Sequence, residues 1–213
     1  MIPKIIHYCW FGNKPKTTSI NKYIDTWKKH MPNYVIKEWN ENNFDVSQFR
    51  FTQEAYSVGK YAFVSDVVRL YALAHEGGIY FDTDIEVLKS FDALLDQDYI
   101  LGYEKGNIVG TGVMAAVKGS TIIQGFLETY KNKSFILKDG SQNNTPNPQL
   151  LMDYIQHNKL NLKIYDVDYF CAKDFLTGKI VCTNNTYCIH HYVGSWLTPW
   201  QKIKKKIHYL LGY

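Results

Sequence analysis

Residues 62–86, AFVSDVVRLYALAHEGGIYFDTDIE, constrain the fold of this chain more than any other stretch. The first part carries apolar residues at helical spacing, which predicts an amphipathic helix. Gly77 and Gly78 follow, and glycine readily takes the positive-φ conformation that ends a helix. The next three residues, Ile-Tyr-Phe at 79–81, predict a short buried strand. A helix that turns directly into a buried strand is typical of an α/β domain.

Two pairs of charged residues belong to this unit. Asp66 and Arg69 are three residues apart and therefore share one face of the predicted helix. Asp82 and Asp84 follow the predicted strand, and residues i and i+2 of an extended chain point to the same side. Two close carboxylates repel each other without a cation, and Mg²⁺ or Mn²⁺ takes oxygen ligands. The pattern favours a divalent metal site, and an Asp pair in an exposed turn is the simpler alternative.

The run SDVVRLYALAHEGGIYFDTD resembles the Asp-x-Asp core of glycosyltransferase family 32, which includes bacterial capsular-polysaccharide transferases, and the glucosylating domain of large clostridial toxins. The resemblance implies a GT-A type, Rossmann-like nucleotide-sugar-binding fold, that is, one α/β domain with a mixed sheet flanked by helices. It also implies retaining transfer from a nucleotide sugar. By the same resemblance Asp84 binds the metal, Asp82 meets the ribose and the metal shell, and Asp66 with Arg69 holds the donor sugar. These four residues are the catalytic candidates.

Two further segments supply candidates for donor binding. Trp10 lies in IPKIIHYCWFG, which resembles the opening strand of the family with its base-stacking aromatic residue. An indole is a sound platform for a nucleobase, and a core aromatic residue is the alternative. Gly110 and Thr111, with Gly112 next to them, lie in a predicted strand of small residues that a ligand could approach closely. They lie beneath the donor sugar or form an ordinary strand turn, and both interpretations stay open.

A late segment, HHYVGSW at residues 190–196, resembles the family motif that completes the metal shell. The resemblance implies one histidine ligand, which suits Mn²⁺ better than Mg²⁺. It also implies that Ser195 and Trp196 contact the donor diphosphate or close over it. Neighbours along an extended chain face opposite ways, so the two histidines are not equivalent and the ligand stays open between them. We favour His191, because HYVGSW also resembles a His-(aromatic)-x-Gly metal motif of related transferases, and keep His190 as the alternative. A pair of structural histidines at the edge of the core is the interpretation without function.

Periodicity and turn residues predict the other elements. Helices are expected at residues 19–31, 121–130 and 149–157, and strands at residues 5–11, 34–39, 85–88, 99–103, 108–117, 180–182 and 187–189. Residues 138–148 are rich in Asn, Gly and Pro and predict a loop. A second Asp-x-Asp triplet at residues 166–168 lacks the preceding helix and glycine pair, so we interpret it as a strand-to-loop turn without a metal role.

The net charge is +4, and the last fourteen residues account for it with four lysines and no acid. We therefore predict a GT-A domain at residues 1–198 and a basic amphipathic helix at residues 199–213. Residues 200–211 contact an anionic membrane surface or, alternatively, pack on the domain. The rest of the chain is electrically balanced, and we expect no nucleic-acid partner. The opening residues show no secretory pattern and the cysteines no paired spacing, so we expect a cytoplasmic location. If residues 200–211 contact the membrane, the location is peripheral at its inner face.

These features predict a metal-dependent retaining hexosyltransferase that uses a nucleotide-diphosphate sugar, preferably a UDP-sugar. The expected acceptor is a saccharide or a lipid-linked saccharide in capsular or surface polysaccharide synthesis. One alternative is a phosphohydrolase with Asp82 as the nucleophile, although Glu86 stands where such enzymes typically carry Thr or Val. The other alternative is a sugar-nucleotide-binding protein without catalytic activity.

Overall fold

The computed structural model describes residues 1–194. The helices are α1 (Thr18–His30), α2 (Arg50–Ser57), α3 (Tyr61–Glu76), α4 (Thr121–Glu128), α5 (Asn147–His157) and the short α6 (Val167–Phe170). The strands are β1 (Ile5–Cys9), β2 (Val35–Trp39), β3 (Gly78–Phe81), β4 (Ile85–Val87), β5 (Tyr99–Lys105), β6 (Ile108–Ala116) and β7 (Cys188–His190).

The main sheet is mixed and has the strand order β2-β1-β3-β6-β5. Strand β1 is parallel to both β2 and β3, whereas β6 runs antiparallel to both β3 and β5. Strands β4 and β7 form a separate two-stranded antiparallel sheet. The predicted α/β architecture, a mixed sheet flanked by helices, is therefore confirmed.

Strand β3 is central to the core, and each of its residues is buried. Tyr80 packs into one apolar cluster together with α3, while Ile79 and Phe81 pack into a second cluster that contains Trp27 of α1. Successive residues of a strand face opposite sides, which explains why this strand is apolar throughout. The Trp27 indole N–H donates to the Ile85 carbonyl (2.7 Å) and thereby fixes α1 to β4.

The glycine pair between α3 and β3 is required by both conformation and space. Gly77 and Gly78 have φ angles of 68° and 111°. A Cβ on Gly77 would lie 2.5 Å from the backbone nitrogen of Lys118, and one on Gly78 would lie 2.6 Å from the carbonyl oxygen of Ile5. The prediction that these glycines end the helix with positive φ is confirmed, and the turn places β3 directly beside β1.

The other predicted helices and most predicted strands are present with slightly shifted ends. Helix α5 begins at Asn147, so the predicted loop ends earlier than expected, and α2 was not predicted. The strand predicted at residues 180–182 was wrong, because these exposed residues form only an isolated bridge between Lys173 and Ile180. The second Asp-x-Asp triplet leads into α6 and is not a strand-to-loop turn.

The basic helix predicted at residues 199–213 lies outside the described residues. Within residues 1–194, no helix has both the length and the apolar character that crossing a bilayer requires.

Candidate active site

Three parallel strands end at one edge of the sheet, the edge where open α/β sheets bind ligands. Trp10 follows β1, Asn40 follows β2 and Asp82 follows β3. Trp10 is half-buried, and its indole N–H donates to the Lys14 carbonyl (2.6 Å). The indole borders a cavity of about 400 Å³ whose other lining residues are Asn13, Lys14, Pro15, Lys16, Glu38, Asn40, Glu41 and Asn42. The candidate base-binding residue therefore faces open, mostly polar space at this edge.

The buried guanidinium of Arg69 joins helix α3 to the ends of two strands. It donates to Asp66 Oδ1 (2.7 Å) and to the Thr111 carbonyl (2.6 Å), and it lies 3.3 Å from Asp82 Oδ1. It also lies over the ring of Tyr80, 4.7 Å from the centroid. Burial lowers the pKa of Arg69, but electrostatic interactions with Asp82, Tyr80 and Asp66 together raise that pKa above its ordinary value. The guanidinium is therefore a fixed positive charge beside Asp82.

Asp66 is held between α3 and the start of α5. Burial raises the pKa of Asp66 to about 7, although the charge of Arg69 acts in the opposite direction. The side-chain amide of Asn147 donates to the Asp66 carbonyl (3.4 Å) and accepts from the Tyr130 hydroxyl (2.9 Å). Asn147 is buried and was not predicted as a site residue, because no motif marks it.

Pairing of β4 with β7 brings Asp84 and His190 together. Ile85 lies opposite His190 in the register of the two strands. As a result, His190 Nε2 lies 3.3 Å from Asp84 Oδ1, while the Val193 N–H donates to Asp84 Oδ2 (2.7 Å). Burial raises the pKa of Asp84, but the attraction of His190 and the hydrogen bonds outweigh it and lower that pKa. Burial lowers the pKa of His190, but the negative charge of Asp84 and the hydrogen bond with its carboxylate outweigh it and raise that pKa well above its ordinary value.

Asp82, Asp84 and His190 form a candidate metal site. Each of the three offers one ligand atom, and these atoms all lie within 4.8 Å of one another. A divalent ion with bonds of roughly 2.0–2.6 Å can contact all three atoms at such separations. Two carboxylates and one imidazole suit Mn²⁺ or Mg²⁺, and the imidazole favours Mn²⁺. The donor set therefore fits the predicted ion.

His191 points away from this cluster. Its Nε2 lies 2.7 Å from Glu86 Oε2, and its ring stacks on Tyr23 with a centroid separation of 4.8 Å. This geometry favours His190, the stated alternative, over His191, and the identity of the histidine ligand stays a prediction. The physical reason is that adjacent strand residues face opposite sides, and the register with β4 turns His190 inward.

Two glycines of β6 leave room for the side chains of the site. A Cβ on Gly112 would lie 3.0 Å from Asp82 Oδ2 and 2.9 Å from His190 Cε1. A Cβ on Gly110 would lie 2.9 Å from the Cβ of Glu104. The space over these two glycines is thus taken by side chains of this chain, which a larger residue would displace.

Glu104, close to the end of β5, was not predicted from the sequence. Burial raises the pKa of its carboxyl, and the negative charge of Asp82 adds to that effect. The positive charges of His190 and Arg69 act in the opposite direction. The carboxylate therefore lies within electrostatic reach of the candidate metal site. Its segment, YILGYEKGN, contains no motif, and only the β5–β6 hairpin reveals its location.

The remaining predicted site residues, Ser195 and Trp196, lie outside the described residues. Their contacts with the donor diphosphate stay a prediction.

Comparison with known proteins identifies the type of fold. Residues 17–101 match the family model described as the glycosyltransferase sugar-binding region containing the DXD motif. A toxin of Photorhabdus asymbiotica is 28% identical over 44% of this chain, which spans only 4% of the length of that toxin.

Two solved structures are similar over most of the chain. The glycosyltransferase PaToxG has a TM-score of 0.55 and 22% identity, over 74% of this chain and 69% of PaToxG. A glycosyltransferase involved in the glycosylation of the major capsid of PBCV-1 has a TM-score of 0.53 and 11% identity, over 97% of this chain and 99% of that protein. The fold is therefore of the GT-A glycosyltransferase type, as predicted.

Proposed function

We propose that this protein is a metal-dependent glycosyltransferase that moves a hexose from a nucleotide-diphosphate sugar, preferably a UDP-sugar. The observation that carries the proposal is the cluster of Asp82, Asp84 and His190 at the sheet edge that also carries Trp10. A nucleotide sugar needs a flat platform for its base, a cation for its diphosphate and polar groups for its sugar. One edge of this sheet offers groups suited to all three needs.

Each group of site residues has one proposed role in binding the donor. Trp10 stacks on the base, and Asp66 with Arg69 orients the donor sugar so that the reacting atoms are held in place. Asp82, Asp84 and His190 hold Mn²⁺, with Mg²⁺ as the alternative. When bound, the ion supplies electrostatic stabilisation of the negative charge that develops on the departing diphosphate.

We also propose that the transfer retains the anomeric configuration. The acceptor hydroxyl attacks the anomeric carbon on the face from which the diphosphate leaves. The bond from that carbon to the phosphate oxygen breaks while the bond to the acceptor oxygen forms. The hydroxyl proton passes to the leaving phosphate oxygen. The sequence shows no pattern of a covalent nucleophile, which is the reason for preferring this direct route.

The proposed acceptor is a saccharide or a lipid-linked saccharide in capsular or surface polysaccharide synthesis. The support for a lipid-linked acceptor is the basic sequence of residues 200–211, whose lysines suit an anionic membrane surface. Ser195 and Trp196 are proposed to contact the donor diphosphate from the segment that precedes these lysines.

The first experiment is a thermal-unfolding panel of nucleotide sugars, with Mn²⁺ and with EDTA. We expect one nucleotide series to raise the Tm, and to do so only when Mn²⁺ is present, because the proposed ion binds the diphosphate. A ligand at 100 times its Kd stabilises the folded state by about 2.7 kcal/mol, which sets the size of the expected shift. The selected donor is then incubated with saccharide acceptors, and NMR of the product reports the anomeric configuration.

Each alternative has its own outcome in this experiment. Release of phosphate from a simple monoester, without nucleotide-sugar binding, would favour the phosphohydrolase. Donor binding without transfer or donor hydrolysis would favour the binding protein. An inverted product would refute retention while leaving the transferase assignment in place.

A further inference from the structure

The Glu104 side chain occupies a defined place beside the candidate metal site without belonging to it. It folds over Gly110, where an added Cβ would lie 2.9 Å from Glu104 Cβ and 3.2 Å from Glu104 Oε2. Within the described residues, the close group of potential metal ligands consists of Asp82, Asp84 and His190 and does not include Glu104. Glu104 therefore has a position separate from the metal ligands.

The strand order places Glu104 on the opposite side of the metal site from Trp10. Trp10 follows β1, Asp82 follows β3, and Glu104 lies near the end of β5, which is separated from β3 by β6. Because β6 is antiparallel to both β3 and β5, the carboxyl ends of β3 and β5 lie at the same edge. Neighbouring strands are about 4.8 Å apart, so β5 lies roughly 10 Å beyond β3.

A nucleotide sugar has its three parts in a fixed order, namely base, diphosphate and sugar. With the base at Trp10 and the diphosphate at the cluster of Asp82, the sugar extends toward β5 and Glu104. Within residues 1–194, the Glu104 carboxylate accepts no hydrogen bond from another residue. The Tyr192 hydroxyl donates to the backbone carbonyl of Glu104 (3.4 Å) and not to its side chain. Carboxylate oxygens in a partly buried position require donors, and sugar hydroxyls are such donors.

We propose that Glu104 accepts hydrogen bonds from hydroxyl groups of the transferred sugar and so makes the site selective for a neutral sugar. The inference rests on the proposed function and extends it to the class of sugar. A sugar acid would bring a further negative charge beside Glu104 and the two aspartates, and this repulsion disfavours its binding.

The test compares binding of a nucleoside diphosphate with binding of the corresponding nucleotide sugar in the presence of Mn²⁺. UDP and UDP-glucose form one pair, GDP and GDP-mannose the other, and the pair that binds the wild-type protein is used for calorimetric titration. We expect Glu104→Gln to weaken binding of the nucleotide sugar by roughly 10- to 100-fold, the usual effect of a hydrogen bond to a charged group. Binding of the nucleoside diphosphate stays at the wild-type value.

Two other variants complete the test. Gly110→Ala displaces the Glu104 side chain, so it should reproduce the selective loss of nucleotide-sugar binding. Glu128→Gln removes a glutamate that forms an exposed ion pair on α4, and it should bind both ligands as the wild type does. The matching uronic-acid ligand, UDP-glucuronate or GDP-mannuronate, should bind the wild type more weakly than the neutral sugar, and this disadvantage should be smaller in Glu104→Gln, where the two aspartates remain.

The outcomes separate this inference from the proposed function. Unchanged nucleotide-sugar binding by a folded Glu104→Gln protein overturns the role of Glu104 but leaves the transferase proposal intact. Equal loss of nucleoside-diphosphate binding also overturns it, because Glu104 would then act on the metal site. Absence of binding of either pair to the wild-type protein removes the proposed function and this inference with it. Where Glu104→Gln does not fold, Glu104→Asp is used, because it keeps the negative charge but withdraws the carboxylate toward the backbone by one methylene group. Retained nucleotide-sugar affinity in that variant contradicts the proposal.

Discussion

Asp82-Thr83-Asp84 and Asp166-Val167-Asp168 have the same spacing of carboxylates but different surroundings. The first triplet follows a buried strand, and its acids lie against Arg69 and His190. The second leads into the short helix α6, where Asp168 is half-buried and accepts from the hydroxyl of Thr183 (2.6 Å) and the side-chain amide of Asn185 (3.4 Å).

The difference shows that spacing alone does not make a metal site. Residues i and i+2 point to the same side in an extended chain, but Asp168 lies in the first turn of α6 while Asp166 precedes that helix as its N-cap. The second pair therefore does not share an extended segment. In the first triplet, a paired strand also supplies the third group, His190. Two acids therefore become a candidate metal site when backbone conformation and a third ligand both support them.

The largest expected effect comes from exchanging one acid in each triplet. Asp84→Asn removes a charge from the candidate metal site and should abolish Mn²⁺-dependent transfer, since loss of one group that stabilises developing charge costs roughly 10²–10³-fold in rate. Asp168→Asn is the matched control, because asparagine still accepts from Thr183, and it should leave transfer unchanged. Initial rates with the selected donor, together with thermal unfolding, provide the measurement. Equal rates for the two variants would contradict the distinction between the triplets.

The second prediction concerns the two adjacent histidines. Loss of even an outer-shell partner lowers metal affinity by about 10- to 100-fold, so His190→Gln should weaken Mn²⁺ binding by at least that factor. His191→Gln should leave Mn²⁺ affinity near the wild-type value, because its ring pairs with Glu86 and its backbone N–H to the Asp84 carbonyl is retained. Titration of Mn²⁺ followed by electron paramagnetic resonance compares the two. A larger loss in His191→Gln would restore the original preference for that residue.

The central unit of the fold was predictable because its signals are local. Helical spacing, the glycine pair and the apolar run at residues 79–81 each act within a few residues, and the structure contains the helix, the turn and the strand that they predict. The Asp66–Arg69 contact follows from the same local rule, since three residues separate them on a helix. Asp82 and Asp84 are adjacent to this unit, so their approximate position was predictable as well.

The rest of the site depends on contacts between distant segments. The register of β4 with β7, which no local pattern encodes, places His190 rather than His191 beside Asp84. Glu104 reaches the site through the β5–β6 hairpin, and Asn147 through the packing of α5. The strand wrongly predicted at residues 180–182 is the opposite case. Its local apolar pattern is present, but these residues are exposed and have no buried position in the fold.

The smallest expected effect concerns His7, which hydrogen-bonds to the turn before β3, the strand that leads to the first triplet. His7 is buried, and the indole N–H of Trp39 donates to its Nδ1 (3.1 Å). Its Nε2 therefore carries the proton and donates to the Gly77 carbonyl (2.7 Å), directly before β3. Burial lowers the pKa of His7 below its ordinary value of 6.5, although the Gly77 carbonyl and Glu76 act in the opposite direction.

This lowered pKa makes stability depend on pH with a defined sign. Below pH 6.5 the unfolded chain binds a proton at His7 before the folded protein does, so the contribution of His7 to the free energy of unfolding is complete above that pH and is lost as the pH falls. The loss is at most about 1.4 kcal/mol per pH unit. Urea unfolding between pH 5 and 8 should show a smaller pH dependence for His7→Gln than for the wild type. His157→Gln, at the end of α5, should behave as the wild type, and an unchanged pH dependence in His7→Gln would contradict the assignment.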